Sequence, residues 1–309
     1  MKNKILNLIE NFPEFIEEAD KIEIPSIKDF EKARVVGMGG SYISGLVIKK
    51  IVEGKFEVEV CNYPLNKFND NELIILVSYS GETKEVLESF KKIKNTKRCL
   101  VITSGGDLLK KARSKNIKII KIPENLHQRF TIAYSIVPLI KIFQEKKAIK
   151  KNFVKEILSI LNKNKEKIRK ESKKVARKLK YKLPLFYSTP YFYPIAYRLQ
   201  TSLEEDAKIL CHSNLITELF HNELETLPSK IFYPVLIIDK QETMPFSTQI
   251  KFFKKYIKNF YEFPFENFKK EERMFLCFYF ADFLGYYLSL IKKTKMGETP
   301  ISDKIKKLK

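Results

Sequence analysis

Acidic residues are in short supply: 58 Lys and Arg face 37 Asp and Glu, leaving a formal net charge of +21 over 309 residues. That surplus admits nucleic acid, a membrane surface or anionic metabolites as partners and does not choose among them. Cysteine is scarce and scattered. Cys61, Cys99, Cys211 and Cys277 form no CxxC pair and no metal-ligand spacing, which excludes a disulfide scaffold or a cysteine-based metal site and reads as a reduced, cytoplasmic protein. Long apolar runs are missing too. The longest, Phe275 to Ile291, is interrupted by Asp282 and Gly285 and reads as a buried helix at a subunit contact rather than a membrane span. The start, Met1-Lys2-Asn3-Lys4, leads into an amphipathic segment containing Glu10 and is not a secretory signal. Histidine occurs only as His127, His212 and His221, so an imidazole acting near neutral pH has few candidates. Glycine numbers only 10 beside abundant Lys and Glu, a balance compatible with a thermophile.

What is present is a globular chain, 44% hydrophobic and 31% charged, longer than one core usually organises. Two domains are therefore expected, over 1–150 and 151–309. Lysine is densest from Lys146 to Lys182, where it alternates with Ile, Leu, Val and Phe; this reads as the solvated face of a long helix rather than a nucleic-acid patch or a membrane-binding surface. After a helical lead at about Ile5 to Asp20, strand-like segments fall at Arg34–Gly37, Phe56–Val60, Leu73–Val77, Cys99–Thr103 and Ile117–Ile120. Helical patterns fall at Tyr42–Val52, Glu82–Ile93, Asp107–Ser114 and Phe130–Phe143. A long helix over Asn152–Leu179 leads to a second set of strands, Leu183–Tyr187, Asn214–Ile216, Phe232–Ile238 and Phe260–Phe263. Its helices lie near Pro194–Ile209, Phe246–Lys258 and Lys269–Ile291. Apolar strands alternating with helices predict an α/β architecture: two three-layer sandwiches with mainly parallel sheets, joined by a helix.

Two motifs follow strands and precede helices in the first half. Gly37-Met38-Gly39-Gly40-Ser41 is not a dinucleotide fingerprint, because Tyr42 stands where the third glycine belongs, and Leu46 replaces the lysine of a Walker loop. It reads as a turn whose backbone, through Gly39 and Gly40, approaches a bound sugar or its phosphate, or else as a tight strand-to-helix turn alone. Ser78-Tyr79-Ser80-Gly81-Glu82-Thr83 gathers hydroxyls around a glycine, suited to phosphate oxygens or to capping, with Ser80 as the N-cap. In the second half, Glu205 and His221 offer a carboxylate and an imidazole as a proton-transfer pair. A base beside a dry pocket has its pKa raised toward working pH, and Lys208 at i, i+3 would oppose that by pairing with Glu205. Glu218 and Glu223, flanking His221, are read as supporting residues that hold the imidazole or cap the next helix.

The segments GMGGSYISG, SYSGET, Gln128 to Ser135 (QRFTIAYS), the EDAK-to-FHNE span and Thr299-Pro300 resemble, in order and over nearly the whole chain, the bifunctional phosphoglucose/phosphomannose isomerases, which are sugar isomerase (SIS) domain proteins. The chain departs from that pattern at Glu82 and Asp206, where the family carries Asn. It departs also at Gln128, Thr217 and Glu298, where the family carries Pro.

The resemblance implies phosphate contact by Ser41, Ser78, Ser80 and Thr83, and Glu205 as the base that moves a proton between C1 and C2. Arg129 would stabilise the enediolate; a guanidinium holds an oxyanion without losing its proton. His221, reaching in from a neighbouring subunit, would open the sugar ring with Lys306. Thr299 would admit mannose 6-phosphate beside glucose 6-phosphate. Neither metal nor cofactor is required, and a homodimer with a shared active site is expected, with no nucleic-acid or membrane partner. The rival reading is a SIS protein that binds a sugar phosphate and regulates without chemistry. Such regulators carry a helix-turn-helix domain before the SIS fold, and the residues before Val35 are too few for one. An aminosugar synthase is disfavoured by the lack of a nucleophile cysteine at the N-terminus.

Overall fold

The computed structural model describes residues 2–27, 29–65, 68 and 71–306, with the side chains of all of these except Lys2, Asn3 and Lys306. The chain divides into two compact units, residues 10–159 and residues 160–309 together with 1–9. The helical lead is two helices, α1 (Lys2–Glu10) and α2 (Phe12–Asp20), rather than one. The break falls at Asn11, just ahead of Pro13 in the first turn of α2, where the ring is tolerated only because that N–H has no helical partner.

In the 10–159 unit, strands β1 (Lys32–Val36), β2 (Glu57–Cys61), β3 (Glu72–Val77), β4 (Cys99–Thr103) and β5 (Lys118–Lys121) form one all-parallel sheet in the order β2-β1-β3-β4-β5. The central strands β3 and β4 are buried along their whole length, as unbroken Leu-Ile-Val runs covered on both faces must be. Helices α4 (Lys84–Lys91) and α5 (Gly106–Ser114) cover one face, where Val86, Phe90, Leu108 and Ala112 join Val36, Ile74, Leu76 and Val101 in one apolar cluster. Helix α3 (Gly40–Ile51) packs with α6 (Ile132–Glu145), and α6 also packs against α2. The strand order reverses between β1 and β3, and in open parallel sheets the crevice beyond the carboxyl ends of the strands at such a reversal is where ligands bind.

The unit boundary runs through α7 (Phe153–Lys178), whose apolar positions recur at helical spacing between lysines. In the second unit, β6 (Leu183–Ser188), β7 (His212–Leu215), β8 (Phe232–Ile237) and β9 (Tyr261–Glu262) form a parallel sheet in the order β7-β6-β8-β9. Its helices are α8 (Tyr193–Asp206), α9 (Ile216–His221), α10 (Ser247–Tyr256), α11 (Lys270–Lys292) and α12 (Pro300–Lys306). Ile216, expected at the end of a strand, instead opens α9, a short turn of helix that apolar patterning over six residues does not announce. One sheet face, through Leu185, Tyr187 and Leu236, meets Leu219, Ile250 and Phe253. Helix α11 contains the apolar run of the sequence; it is long and apolar enough to cross a membrane, yet 89% of its most apolar 18-residue stretch, of mean hydropathy 1.6, is buried inside the fold. It packs extensively on α8.

Candidate active site

In the 10–159 unit, β1 and β3 deliver the two glycine-bearing loops to the reversal point. Gly39 takes a left-handed φ of 52° as the N-cap of α3, and Gly40 and Ser41 form its first turn. No side chain caps α3; the Ser41 N–H turns back to the Met38 carbonyl at 3.1 Å, and the N–H groups of Gly39 and Gly40 stand at the positive end of the helix dipole. Helix α4 begins in the same way. Its N-cap is Thr83 rather than Ser80, and the Thr83 side chain caps no backbone group. Instead Ser78 Oγ and Thr83 Oγ1 share a 2.8 Å hydrogen bond, Gly81 N–H donates to Ser78 Oγ at 3.1 Å, and Glu82 N–H donates to Ser80 Oγ at 3.2 Å. The expected helix start at Glu82 is shifted because Gly81 holds a left-handed φ of 68°, and a β-carbon there would stand 1.9 Å from the Gly105 carbonyl oxygen. Only glycine permits the two loops to meet.

Residues the sequence reading left out fix these loops. Tyr79 accepts the Leu126 N–H at 2.8 Å and donates its hydroxyl proton to the Leu126 carbonyl at 3.1 Å, while Ser104 Oγ donates to the Tyr79 carbonyl at 2.7 Å. The hydroxyl loop is thereby tied to the loops following β4 and β5, the second of which leads to Arg129. Glu82, where the resemblance predicts Asn, accepts the Asp107 N–H at 2.8 Å and so caps the first turn of α5, a placement that suits a carboxylate better than an amide. Nothing in the SYSGET motif signals these partners, since both Leu126 and Asp107 lie in segments distant in sequence.

Arg129 is buried on the single turn 128–130. His127 caps that turn, its Nδ1 accepting the Arg129 N–H at 3.3 Å, which requires the nitrogen to be unprotonated. Partial burial, reinforced by the Arg129 guanidinium, holds the His127 imidazole below its ordinary value of 6.5. A histidine depressed in the folded state contributes its cap fully above the unfolded value, and the contribution is lost as pH falls through the lower folded value. NMR titration of His127 is therefore expected to give a midpoint below 6.5, with the Arg129 amide shift moving in step; an Arg129 amide indifferent to that titration would show that the cap does not operate.

In the second unit, Glu205 is solvent-exposed in the last turn of α8, and His221 is exposed at the end of α9. The Lys208 ammonium, expected from its spacing to face the Glu205 carboxylate, donates to the backbone carbonyls of Glu205 and Glu298. Thr299, half-buried, follows directly and shares a 3.1 Å hydrogen bond with Asp303 in the first turn of α12. Lys306 closes α12, but its side chain lies outside the described residues. Glu223, expected to hold the His221 imidazole or to cap a helix, accepts from Tyr187 at 2.5 Å and Asn214 at 2.6 Å and pairs with His212 at 3.2 Å. Burial acts to raise the Glu223 carboxyl, but the hydrogen bonds from Tyr187, Asn214 and His212 together outweigh it and hold it below the usual carboxylate range. Its role is to anchor the segment just after His221 onto β6 and β7.

The chain is similar to known sugar-phosphate proteins. A family model described as the bacterial phospho-glucose isomerase C-terminal SIS domain matches residues 168–308. A bifunctional phosphoglucose/phosphomannose isomerase of Thermoplasma volcanium is 30% identical over 291 residues, covering 90% of this chain and 91% of that protein. A D-glucosamine-6-phosphate 4-epimerase of Sulfolobus acidocaldarius is 31% identical over 238 residues, 75% of this chain and 76% of its own length. Among solved structures, the C-terminal domain of a glucosamine-fructose-6-phosphate aminotransferase from Francisella tularensis superposes with a TM-score of 0.73 at 18% identity, covering 94% of this chain and 97% of that one; it shares the fold.

Proposed function

We propose, from the premise that the chain belongs to the bifunctional phosphoglucose/phosphomannose isomerase family, that this sugar-phosphate isomerase interconverts glucose 6-phosphate, and also mannose 6-phosphate, with fructose 6-phosphate through a cis-enediol. The observation that carries the reading is the pair of helix starts, α3 and α4, neither capped by a side chain, at the strand-order reversal of one parallel sheet. Backbone N–H groups of Gly39 and Gly40, with the hydroxyls of Ser41, Ser78, Ser80 and Thr83, supply donors without charge for a phosphate dianion, and the net charge of +21 favours its approach.

In this reading Glu205 removes the proton from C2 of the open aldose and returns it to C1, and the reverse reaction retraces that path. Arg129 meets the negative charge that develops on the enediolate oxygen. His221 and Lys306 open the ring, His221 serving the substrate of a second copy in a homodimer. Glu205 is exposed on the single chain, so in this reading substrate and partner are what exclude water from it. Thr299 contacts the C2 region and admits both epimers. A cytoplasmic location fits scattered free cysteines and a most apolar helix that is buried.

The test is to supply fructose 6-phosphate and follow glucose 6-phosphate with a coupled dehydrogenase, reading mannose 6-phosphate by NMR. Turnover to both aldoses is expected. Binding of fructose 6-phosphate by calorimetry without turnover would favour the regulatory reading instead. The Sulfolobus relative raises a second reading, C4 epimerisation of an amino-sugar phosphate, and glucosamine 6-phosphate in the same NMR assay separates it by the product formed.

A further inference from the structure

The last turn of α8 bears the proposed base, and three contacts from later in the chain fix it. Asp206 is fully buried against Gly285 of α11, where a β-carbon would stand 2.7 Å from Asp206 Oδ2. Thr294 Oγ1 donates to the Asp206 carbonyl at 2.8 Å. Lys208, left-handed at φ 56°, brings its ammonium to the carbonyls of both Glu205 and Glu298. The terminal carbonyls of a helix have no partner within it and form the negative end of its dipole, so a cation and a hydroxyl are the groups that end wants. The Lys208 ammonium does more than cap. Its second carbonyl belongs to the peptide that leads into Thr299, so one cation bridges the backbone of residue 205 and the backbone of the residue before 299.

We propose that Lys208 is a positioning residue that fixes the spacing between Glu205 and Thr299 and thereby sets the preference between the two C2-epimeric aldose 6-phosphates. The inference rests on the isomerase reading above. The epimers differ only in which face of C2 carries the hydrogen. A single base serves both if the hydroxyl and the carbon chain are held differently against it, so the selection depends on small displacements between the base and the residue touching C2. Two segments far apart in sequence would drift independently; a three-donor ammonium on a flexible stem holds both at once, and a neutral side chain of that length does not.

The test compares wild type with Lys208→Met, Lys208→Arg and Thr294→Val, measuring kcat, KM and the initial ratio of glucose to mannose 6-phosphate formed from fructose 6-phosphate before equilibrium. Amide hydrogen exchange over 205–208 and 294–299 is followed in parallel. For Lys208→Met, kcat is expected to fall about tenfold with KM within about twofold, and the initial epimer ratio to shift several-fold. Exchange should quicken in both segments and nowhere else. Lys208→Arg should restore most of the ratio, and Thr294→Val should shift it in the same direction. A Lys208→Met enzyme with wild-type kcat and ratio would sink the clamp while leaving the isomerase intact. A loss that Arg does not repair, with faster exchange throughout the chain, would make Lys208 a folding residue and equally overturn the proposal. A wild-type enzyme that releases no aldose 6-phosphate overturns the isomerase reading and this inference with it.

Discussion

Glu205→Gln is expected to lower kcat for fructose 6-phosphate by about a thousandfold, within the range a positioned general base contributes and equivalent to about 4 kcal/mol of barrier. Glutamine keeps the shape and the hydrogen-bonding capacity of the side chain but accepts no proton. The substitution should not disturb the fold, because the side chain is exposed and the contact that fixes this end of α8 uses the residue 205 carbonyl. Affinity for fructose 6-phosphate should stay within about threefold in calorimetry, the pattern of a group that acts in the transition state. Wild-type turnover in heavy water should place deuterium at C2 of the aldose or C1 of the ketose, and the Gln variant should lose that incorporation along with kcat. A Gln variant that still turns over normally would remove Glu205 as the base.

Asp282→Ala is expected to destabilise the second unit by about 3–5 kcal/mol, the cost of breaking a buried ion pair by deleting one partner. Arg198 on α8 and Asp282 on α11 meet at 2.7 Å, each side chain 3% exposed. Taking the carboxylate away removes the opposite charge from a buried guanidinium, whereas Arg198→Met with Asp282→Leu removes both charges and fills the same space. The double variant should therefore recover most of the lost stability, and a urea titration of all three proteins by circular dichroism reads the difference. Equal loss in the single and the double variant would mean that packing rather than charge pairing holds α8 to α11. Glu205 sits two turns beyond Arg198 on the same helix, so this pair also bears on the position of the proposed base, and the single variant should lose activity at temperatures where its fold survives.

Much of the architecture is legible in the chain because its signals are local. The Leu-Ile-Val run of β3 has no polar alternation, and that is possible only for a strand covered on both faces. The glycine turns after β1 and β3 announce a backbone that must bend sharply beside a helix start, which is why Gly39, Ser41, Ser78 and Thr83 stand out as candidates in the sequence. Where expectation and structure part, a long-range contact decides. The one local exception is the lead helix, which breaks at Asn11 because Pro13 restarts it. The start of α4 slips to Lys84 because Gly81 must pass the Gly105 carbonyl. Lys208, by spacing a partner for a carboxylate, is drawn to two carbonyls because the left-handed backbone at that position turns its side chain toward the segment before Thr299.

The sequence alone determined the fold class, the alternation of strand and helix, the places where donors cluster, and the residue types able to move a proton, because each depends on neighbours within a turn or a strand. Only the tertiary structure decided what those residues are held by: Tyr79 on Leu126, Glu82 on α5, Glu223 on Tyr187 and Asn214, Lys208 on Glu298. Each of those bonds joins positions brought together by folding, and a hydrogen bond across such a distance leaves no periodicity in the chain by which to read it.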